Sequence, residues 1–265
     1  MGELSVRQAE IVALARSAGK VVVDDLAKRF EVTPQTVRKD LNDLCDRRVL
    51  QRVHGGAVVA SSVANLSYEA RRFVAAQAKR AIGQAAAEQI PSGSSLFINI
   101  GTTTEEVARA LARRGDYLVI TNNLNVAMEL YPHPRIEVVV AGGAVRSSDG
   151  AVVGAAAIDL IRQFKVDYAV IGVSAIDADG ALLDFDYREV LVAQAILDNA
   201  REAILVCDHT KFSRNAAVRI GALEQIDMLV TDALPNEEAR QLCHAARVRV
   251  VEAGGPFEGD GEGSD

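Results

Sequence analysis

The chain has 265 residues, 49% hydrophobic and 25% charged, enough for one large domain or two ordinary ones, and this composition excludes a disordered, collagen-like or disulfide-framed protein. Its formal net charge of −7 is unevenly divided: residues 1–60 hold ten Lys and Arg against eight Asp and Glu, and the remainder carries a net of −9. The whole balance argues against a nucleic-acid binder, while the division permits a small basic head on an acidic body.

In chain order, Ile11, Leu14 and Ala15 form one stripe of a helix predicted over Arg7 to Ser17, stopped by Ala18-Gly19. Val21 to Val23 reads as a short extended piece leading to Asp24, the expected N-cap of a second helix through Phe30. Thr33-Pro34 is a strong start for a third, because a capping hydroxyl precedes a proline whose missing N–H costs nothing there. On that helix Val37, Leu41 and Leu44 make an apolar stripe, nearly opposed to a polar one of Gln35, Arg38, Lys39 and Asn42. The β-branched runs Val49 to Val53 and Ala57 to Val59 around His54-Gly55-Gly56 predict a hairpin. Three helices and a hairpin in this length give the winged form of the helix-turn-helix.

Base edges are read by side chains that donate and accept in pairs, and cations hold phosphates. Gln35, Arg38 and Asn42 offer the first on one face; Lys39, Arg47, Arg48 and Arg52 offer the second, with His54 in the wing. Thr36 suits a thymine methyl, a phosphate or a second capping hydroxyl. The bland alternative is a solvated polar face on a small helical subdomain.

Ala60 to Asn65 reads as a linker, and a single helical stretch is expected from about Tyr68 to Gln89. Beyond it, apolar runs at Leu96–Ile100, Leu118–Thr121, Ile136–Ala141, Tyr168–Val173, Ile204–Val206, Met228–Thr231 and Val248–Val251 alternate with helical patterns, the signature of a largely parallel α/β sheet. The expected domains are a winged helix-turn-helix over 1–59, a linker and connecting helix over 60–92, a sensing α/β domain over 93–253, and a disordered acidic tail over 254–265.

Asn99-Ile100-Gly101-Thr102-Thr103-Thr104 runs a strand into a glycine and three hydroxyls as a helix begins, which gathers unpaired N–H groups and hydroxyls around one point. Such a point holds a phosphate; it is equally an ordinary strand-to-helix cap. It is neither a Walker loop nor a dinucleotide turn. Asn122 and Asn123, Gly142 and Gly143 with Arg146, Gly172 and Ser174, and Asp208 with Lys211 fall at the ends of neighbouring predicted strands, where ligands of open parallel sheets bind. This favours a small phosphorylated, hydroxylated ligand. In Asp184 to Glu189, Asp186 and Glu189 read as a capping box, leaving Asp184, Phe185, Tyr187 and Arg188 to face a ligand, with Arg188 either a phosphate clamp or simply solvated.

Thr36-Val37-Arg38-Lys39-Asp40-Leu41, with Leu50 and Arg52-Val53-His54-Gly55-Gly56-Ala57, resemble the N-terminal signature of DeoR-type bacterial transcription regulators. Lys39 departs from the commoner second Arg and cannot make a planar bidentate contact. The spaced Gly-Thr-Thr, Thr-Asn-Asn, Gly-Gly and Asp-x-x-Lys-Phe elements are similar to the family's sugar-phosphate sensor domain, which implies a Rossmann-like fold akin to ribose-phosphate isomerases and CoA transferases. Asn122 to Ala127, Arg146 to Gly150 and Leu183 to Tyr187 resemble its glycerol 3-phosphate-responsive branch. The resemblance implies a repressor of carbohydrate or glycerol metabolism genes, acting as a homo-oligomer (dimer or tetramer) on double-stranded operator DNA and released by a phosphorylated polyol or sugar. Glycerol 3-phosphate and other short sugar phosphates both satisfy the cradle.

The rival is a sugar-phosphate isomerase, which needs a positioned carboxylate or His; His209, beside Asp208, is the histidine near the expected pocket, and Asp177, Asp179 and Asp184 are candidate bases. No Ser-His-Asp ordering, metal-ligand cluster or activated cysteine stands out, so no enzyme activity, metal or cofactor is expected. Cys45, Cys207 and Cys243 are odd in number and widely spaced, with no disulfide framework or zinc ribbon indicated. No myristoylation signal or leader is recognised, and the apolar runs fall short of the ~18 residues that span a bilayer. The expected setting is a reducing cytoplasm without membrane contact.

Overall fold

The computed structural model describes residues 4–18, 20–47, 49–53, 56–59 and 68–254. His54, Gly55, Arg48, the linker at 60–65 and the tail from 255 lie outside the described residues, as do the side chains of Arg52 and Val53. The chain divides into two compact units, Met1–Val74 and Ala75–Asp265.

In the first unit the elements are α1 (Val6–Ala18), β1 (Lys20–Val22), α2 (Val23–Arg29), α3 (Pro34–Asp46), β2 (Leu50–Val53), β3 (Gly56–Val59) and α4 (Tyr68–Phe73). β3 pairs antiparallel with both β1 and β2. Ile11, Ala15, Val37, Leu41, Leu44 and Leu50 are its buried core, so the predicted stripes of α1 and α3 are the faces that pack. Thr33 caps α3 by accepting from the Thr36 N–H at 3.2 Å, with Pro34 in the first turn. Asp24 is not a cap. β1 runs straight into α2, so Val22 takes the cap position without a side-chain bond, and Asp24 and Asp25 sit in the first turn, where the helix dipole favours them.

The single helix expected over 68–89 is two. Ala75 adopts φ +51°, and α5 (Ala76–Glu88) starts from it. The left-handed conformation costs a non-glycine residue about 1 kcal/mol, and the alanine-rich stretch has no propensity dip to announce it.

The second unit continues with β4 (Ser95–Ile98), α6 (Thr102–Leu111), β5 (Tyr117–Thr121), α7 (Leu124–Leu130), β6 (Ile136–Val140), β7 (Ala144–Val145), β8 (Val152–Val153), α8 (Ala155–Ile161), β9 (Val166–Ile171), β10 (Ala175–Ile176), β11 (Ala181–Asp184), α9 (Tyr187–Asp198), β12 (Ala200–Val206), β13 (Val218–Ala222), β14 (Met228–Thr231), α10 (Glu237–Ala245) and β15 (Arg249–Glu252). Among the described residues the main sheet has seven strands in the order β15-β14-β12-β9-β4-β5-β6. All neighbours are parallel, and each predicted apolar run supplies one strand.

Side chains alternate across this sheet. Phe97, Ile120, Ile171, Leu205 and Leu229 enter one core with α8 and α9. Leu96, Ile98, Val119, Val170, Ile204 and Val230 enter the other with α5, α6 and α7. Burial on both faces explains why the strands read as continuous apolar runs. From β4 the chain builds outward through β5 and β6, and from β9 it builds the opposite way, so the adjacent ends of β4 and β9 form the topological switch point. β10, β11 and β13 make a small antiparallel sheet, and β7 pairs with β8.

Candidate functional site

In the first unit, the packing of Val37, Leu41 and Leu44 turns the opposite face of α3 to solvent. Gln35, Arg38, Lys39 and Asn42 are all exposed on it. Thr36 is half-buried, and its hydroxyl lies 2.9 Å from that of Thr33, so it strengthens the cap. Arg47 donates to Asp43 at 3.2 Å one turn back, which fixes it at the helix end. Asp40 faces inward, where Arg7 Nε donates to it at 2.6 Å and Gln8 holds it with Asp43. The sequence reading passed over Asp40, whose burial sets the rotation of the exposed face.

In the second unit, the switch point carries the Gly-Thr-Thr turn. Gly101, at φ +146° and ψ 148°, turns β4 into α6. An L side chain is strained there, and its Cβ would also press on Thr104 Oγ1 at 3.3 Å. Thr104 is spent on the turn itself, its hydroxyl donating to the Asn99 and Gly101 carbonyls at 2.8 Å. The backbone N–H groups of Thr102 to Thr104 belong to the first turn, where a helix offers no internal acceptors.

Around this turn, the end of β5 supplies Thr121, which donates to the Ile98 carbonyl at 2.6 Å, and Asn122 and Asn123, both buried. Asn122 donates to the Val152 carbonyl at 3.2 Å while its Oδ1 finds no partner among the described residues. Asn123 caps α7 and, with Asn125, donates to Glu105 at 3.3 and 3.1 Å. Glu105, which follows the three threonines, thus clips α6 to the neighbouring loop. The ends of β9 and β11 bring Ser174 and Asp184 together at 3.1 Å, both buried.

At the end of β12, Asp208 is 1% exposed; one oxygen accepts from the Thr210 N–H at 3.1 Å and from its hydroxyl, and Oδ2 has no hydrogen-bond partner among the described residues. Burial works to raise this carboxyl; the charge of Lys211, the Thr210 hydroxyl and the charges of Lys79 and Arg214 outweigh it and leave it below the ordinary carboxylate value. Lys211 is half-buried. Lys79, from α5, is buried and was not singled out in the sequence.

Three of the other expected ligands lie at the surface, and a fourth is engaged by carboxylates. Gly142, Gly143 and Tyr187 are exposed. Arg146 donates to Asp149, Asp186 and Glu189 at 2.6–2.8 Å. Burial opposes its charge, but Asp149 and Glu189 overcome that and raise its pKa. The capping box is therefore incomplete: Asp186 caps α9 through the Arg188 N–H, while Glu189 turns to Arg146, whose charge is the stronger partner. Cys207 and Cys243 are buried, and that burial raises both thiols, the opposite of an activated nucleophile. No helix among the described residues is long and apolar enough to cross a membrane, and no group of three or more His, Cys, Asp and Glu among them could hold a metal ion.

Residues 7–63 match the DeoR-like helix-turn-helix domain, and residues 74–233 match the DeoR C terminal sensor domain. The chain belongs to the DeoR family. It is 44% identical to the glycerol-3-phosphate regulon repressor of Escherichia coli (strain K12) over 88% of this chain and 92% of that one. It is 40% identical to the HTH-type transcriptional repressor CsqR of the same strain over 92% and 94%. Among solved structures it is similar to ribose 5-phosphate isomerase A from Methanocaldococcus jannaschii, at 15% identity and TM-score 0.40, covering 52% of this chain and 55% of that one. The family membership agrees with both readings from the sequence: a winged helix-turn-helix head and a Rossmann-like sensor.

Proposed function

We propose that this protein is a transcriptional repressor that grips operator DNA through α3 and lets go when a phosphorylated polyol or sugar, glycerol 3-phosphate first, binds at the strand ends of its second unit. One observation carries the ligand half. Asn122 Oδ1 and Asp208 Oδ2 are buried acceptors without a partner among the described residues, on either side of the switch point. An unmet buried acceptor costs about 1–3 kcal/mol, and a ligand's hydroxyls meet both. A phosphate on the same ligand suits the first turn of α6.

The relatives' names support the regulator, and the exposed Gln35, Arg38, Lys39 and Asn42 support DNA as its target, with Arg47 at the helix end. Arg52 and His54 complete the reading as wing contacts. In this reading the protein works in the cytoplasm as a homo-oligomer, because paired heads read half-sites about one helical turn or a multiple apart. The effector prefers the state whose heads are wrongly spaced, and operator DNA weakens effector binding by the same factor.

The decisive experiment titrates operator binding with a panel of phosphorylated polyols and sugars. Release by one compound at low concentration establishes the reading and the effector together; retention of DNA with every compound overturns it. A second reading, an isomerase-like enzyme, rests on His209, which lies beside Asp208 with Nδ1 2.6 Å from Asp232. Conversion of an aldose phosphate to its ketose by the purified protein would establish that reading instead.

A further inference from the structure

The buried stripe of α5 runs Lys79, Ile82, Gly83, Ala86, Ala87 and continues to Ile90, a helical spacing of i, i+3, i+4, i+7 and i+8. Every member but the first is apolar or small. Lys79, at 4% exposure, is a full charge in a position the pattern reserves for core, and a buried charge persists only where something compensates it.

Its surroundings follow from the packing. A Cβ on Gly83 would sit 2.6 Å from the Glu106 backbone carbon, and Arg114 reaches Glu88 at 4.0 Å, so α5 and α6 run side by side in the same direction. One turn before Glu106 is Thr102, where α6 begins; one turn before Gly83 is Lys79. The ammonium therefore belongs to the end of the helix pair that carries the Gly-Thr-Thr turn. α5 also packs on β12 and β14, and Asp208 follows β12 directly. Lys79 also acts on Asp208 electrostatically, in keeping with that end of the helix pair lying near the end of β12.

We infer that Lys79 supplies the ammonium that grips the effector's phosphate, and that α5 reports the grip to the joint between the two units. This rests on the reading that the second unit binds a phosphorylated effector. Asp208 is a counter-charge to the ammonium, and a phosphate at the α6 N-terminus becomes a further partner. Lys79 lies four residues beyond Ala75, the left-handed residue at which α5 starts, and the two compact units divide between Val74 and Ala75. One helical turn rises about 5.4 Å, so a pull on Lys79 is felt in the turn of α5 nearest the connection to the DNA-binding unit.

The test uses the full chain and three variants. Lys79→Met keeps the apolar stem and removes the charge, Lys79→Arg keeps the charge, and Lys79→Gln replaces Met should that variant melt early. Glycerol 3-phosphate affinity is measured by calorimetry with and without a DNA fragment selected by the unaltered protein. The expected result is at least a tenfold loss of affinity in Lys79→Met, a smaller loss in Lys79→Arg, and unchanged DNA affinity without effector. The factor by which DNA weakens effector binding should also fall towards one in Lys79→Met. Unchanged effector affinity in Lys79→Met overturns the inference while leaving the effector reading intact. A loss of affinity with the DNA factor preserved overturns the signalling role of α5. If the unaltered protein binds no phosphorylated compound of the panel, the effector reading itself has failed.

Discussion

Arg146 Nη2 stands 2.7 Å from Glu189 Oε2, and that contact ties the turn between β7 and β8 to the first turn of α9. The same guanidinium donates to Asp149 at 2.8 and 2.6 Å and to Asp186 at 2.8 Å. Read from the sequence as an effector contact at a strand end, Arg146 bonds three carboxylates, and its role in this arrangement is to latch two segments beside the strand ends. Removing it strands partly buried negative charge. Arg146→Met should destabilise the second unit by about 2–4 kcal/mol, in the range for breaking one side of a buried ion pair, and urea unfolding measures it. An unchanged midpoint would show that the latch contributes nothing.

Asp186 gives that latch a pH dependence. Hydrogen bonding from Arg188 first, and from Arg146, outweighs partial burial and holds its carboxyl well below the ordinary value. A carboxyl whose folded pKa is depressed stabilises the fold above its unfolded pKa, about 3.9, and that contribution is lost as pH falls through the folded value. Melting temperature should therefore drop as pH is lowered below about 4. Arg188→Gln, which removes an exposed partner, should shrink the drop without abolishing it. A wild-type profile flat from pH 5 to 3 would contradict the assignment.

Neighbouring residues on α3 should separate recognition from stability. Arg38 is exposed, whereas Asp40 is buried and held by Arg7 at 2.6 Å. Arg38→Ala should abolish operator binding, leaving the melting curve and effector affinity unaltered. Asp40→Ala should lower the stability of the first unit by about 1–3 kcal/mol, because Arg7 and Gln8 lose a charged acceptor. A gel-shift assay paired with thermal melts distinguishes the two. DNA binding by Arg38→Ala equal to wild type would remove α3 from the interface.

What the sequence disclosed follows from where its signals are local. Each strand of the main sheet was legible, because strands buried on both faces are uninterrupted apolar runs. The Thr33-Pro34 cap and the two faces of α3 were legible because a helix start and a 3.6-residue period need no tertiary partner. β7, β8, β10, β11 and β13 went unread, being two to five residues long and too short or too mixed to stand out as uninterrupted apolar runs. The break at Ala75 was invisible among alanines that favour helix on both sides. Lys79 was readable in principle, since it stands at i−3 and i−4 to Ile82 and Gly83 on an otherwise apolar stripe. The partners of Arg146 come from α9 and from its own turn, and no spacing rule announces them.

The three threonines of the strand-to-helix turn look alike in sequence and are not alike in the fold. Thr104 donates to the Asn99 and Gly101 carbonyls and is fully buried, so it braces the turn. Thr103 is buried beside it, and its hydroxyl makes no such bond to a described residue, which leaves it for an effector's phosphate or hydroxyl. Thr104→Val keeps the shape and strands two carbonyls of one acceptor contact each, so it should cost about 1–2 kcal/mol in stability. Thr103→Ala should leave the melting temperature within about 2 °C, since a change of under ~0.5 kcal/mol shifts a domain of this size by no more than that. It should instead raise the effector concentration needed for operator release at least tenfold, giving an uninducible repressor that binds DNA normally. Normal induction in Thr103→Ala, with Thr104→Val folded and equally inducible, would mean the turn is a strand-to-helix cap and nothing more.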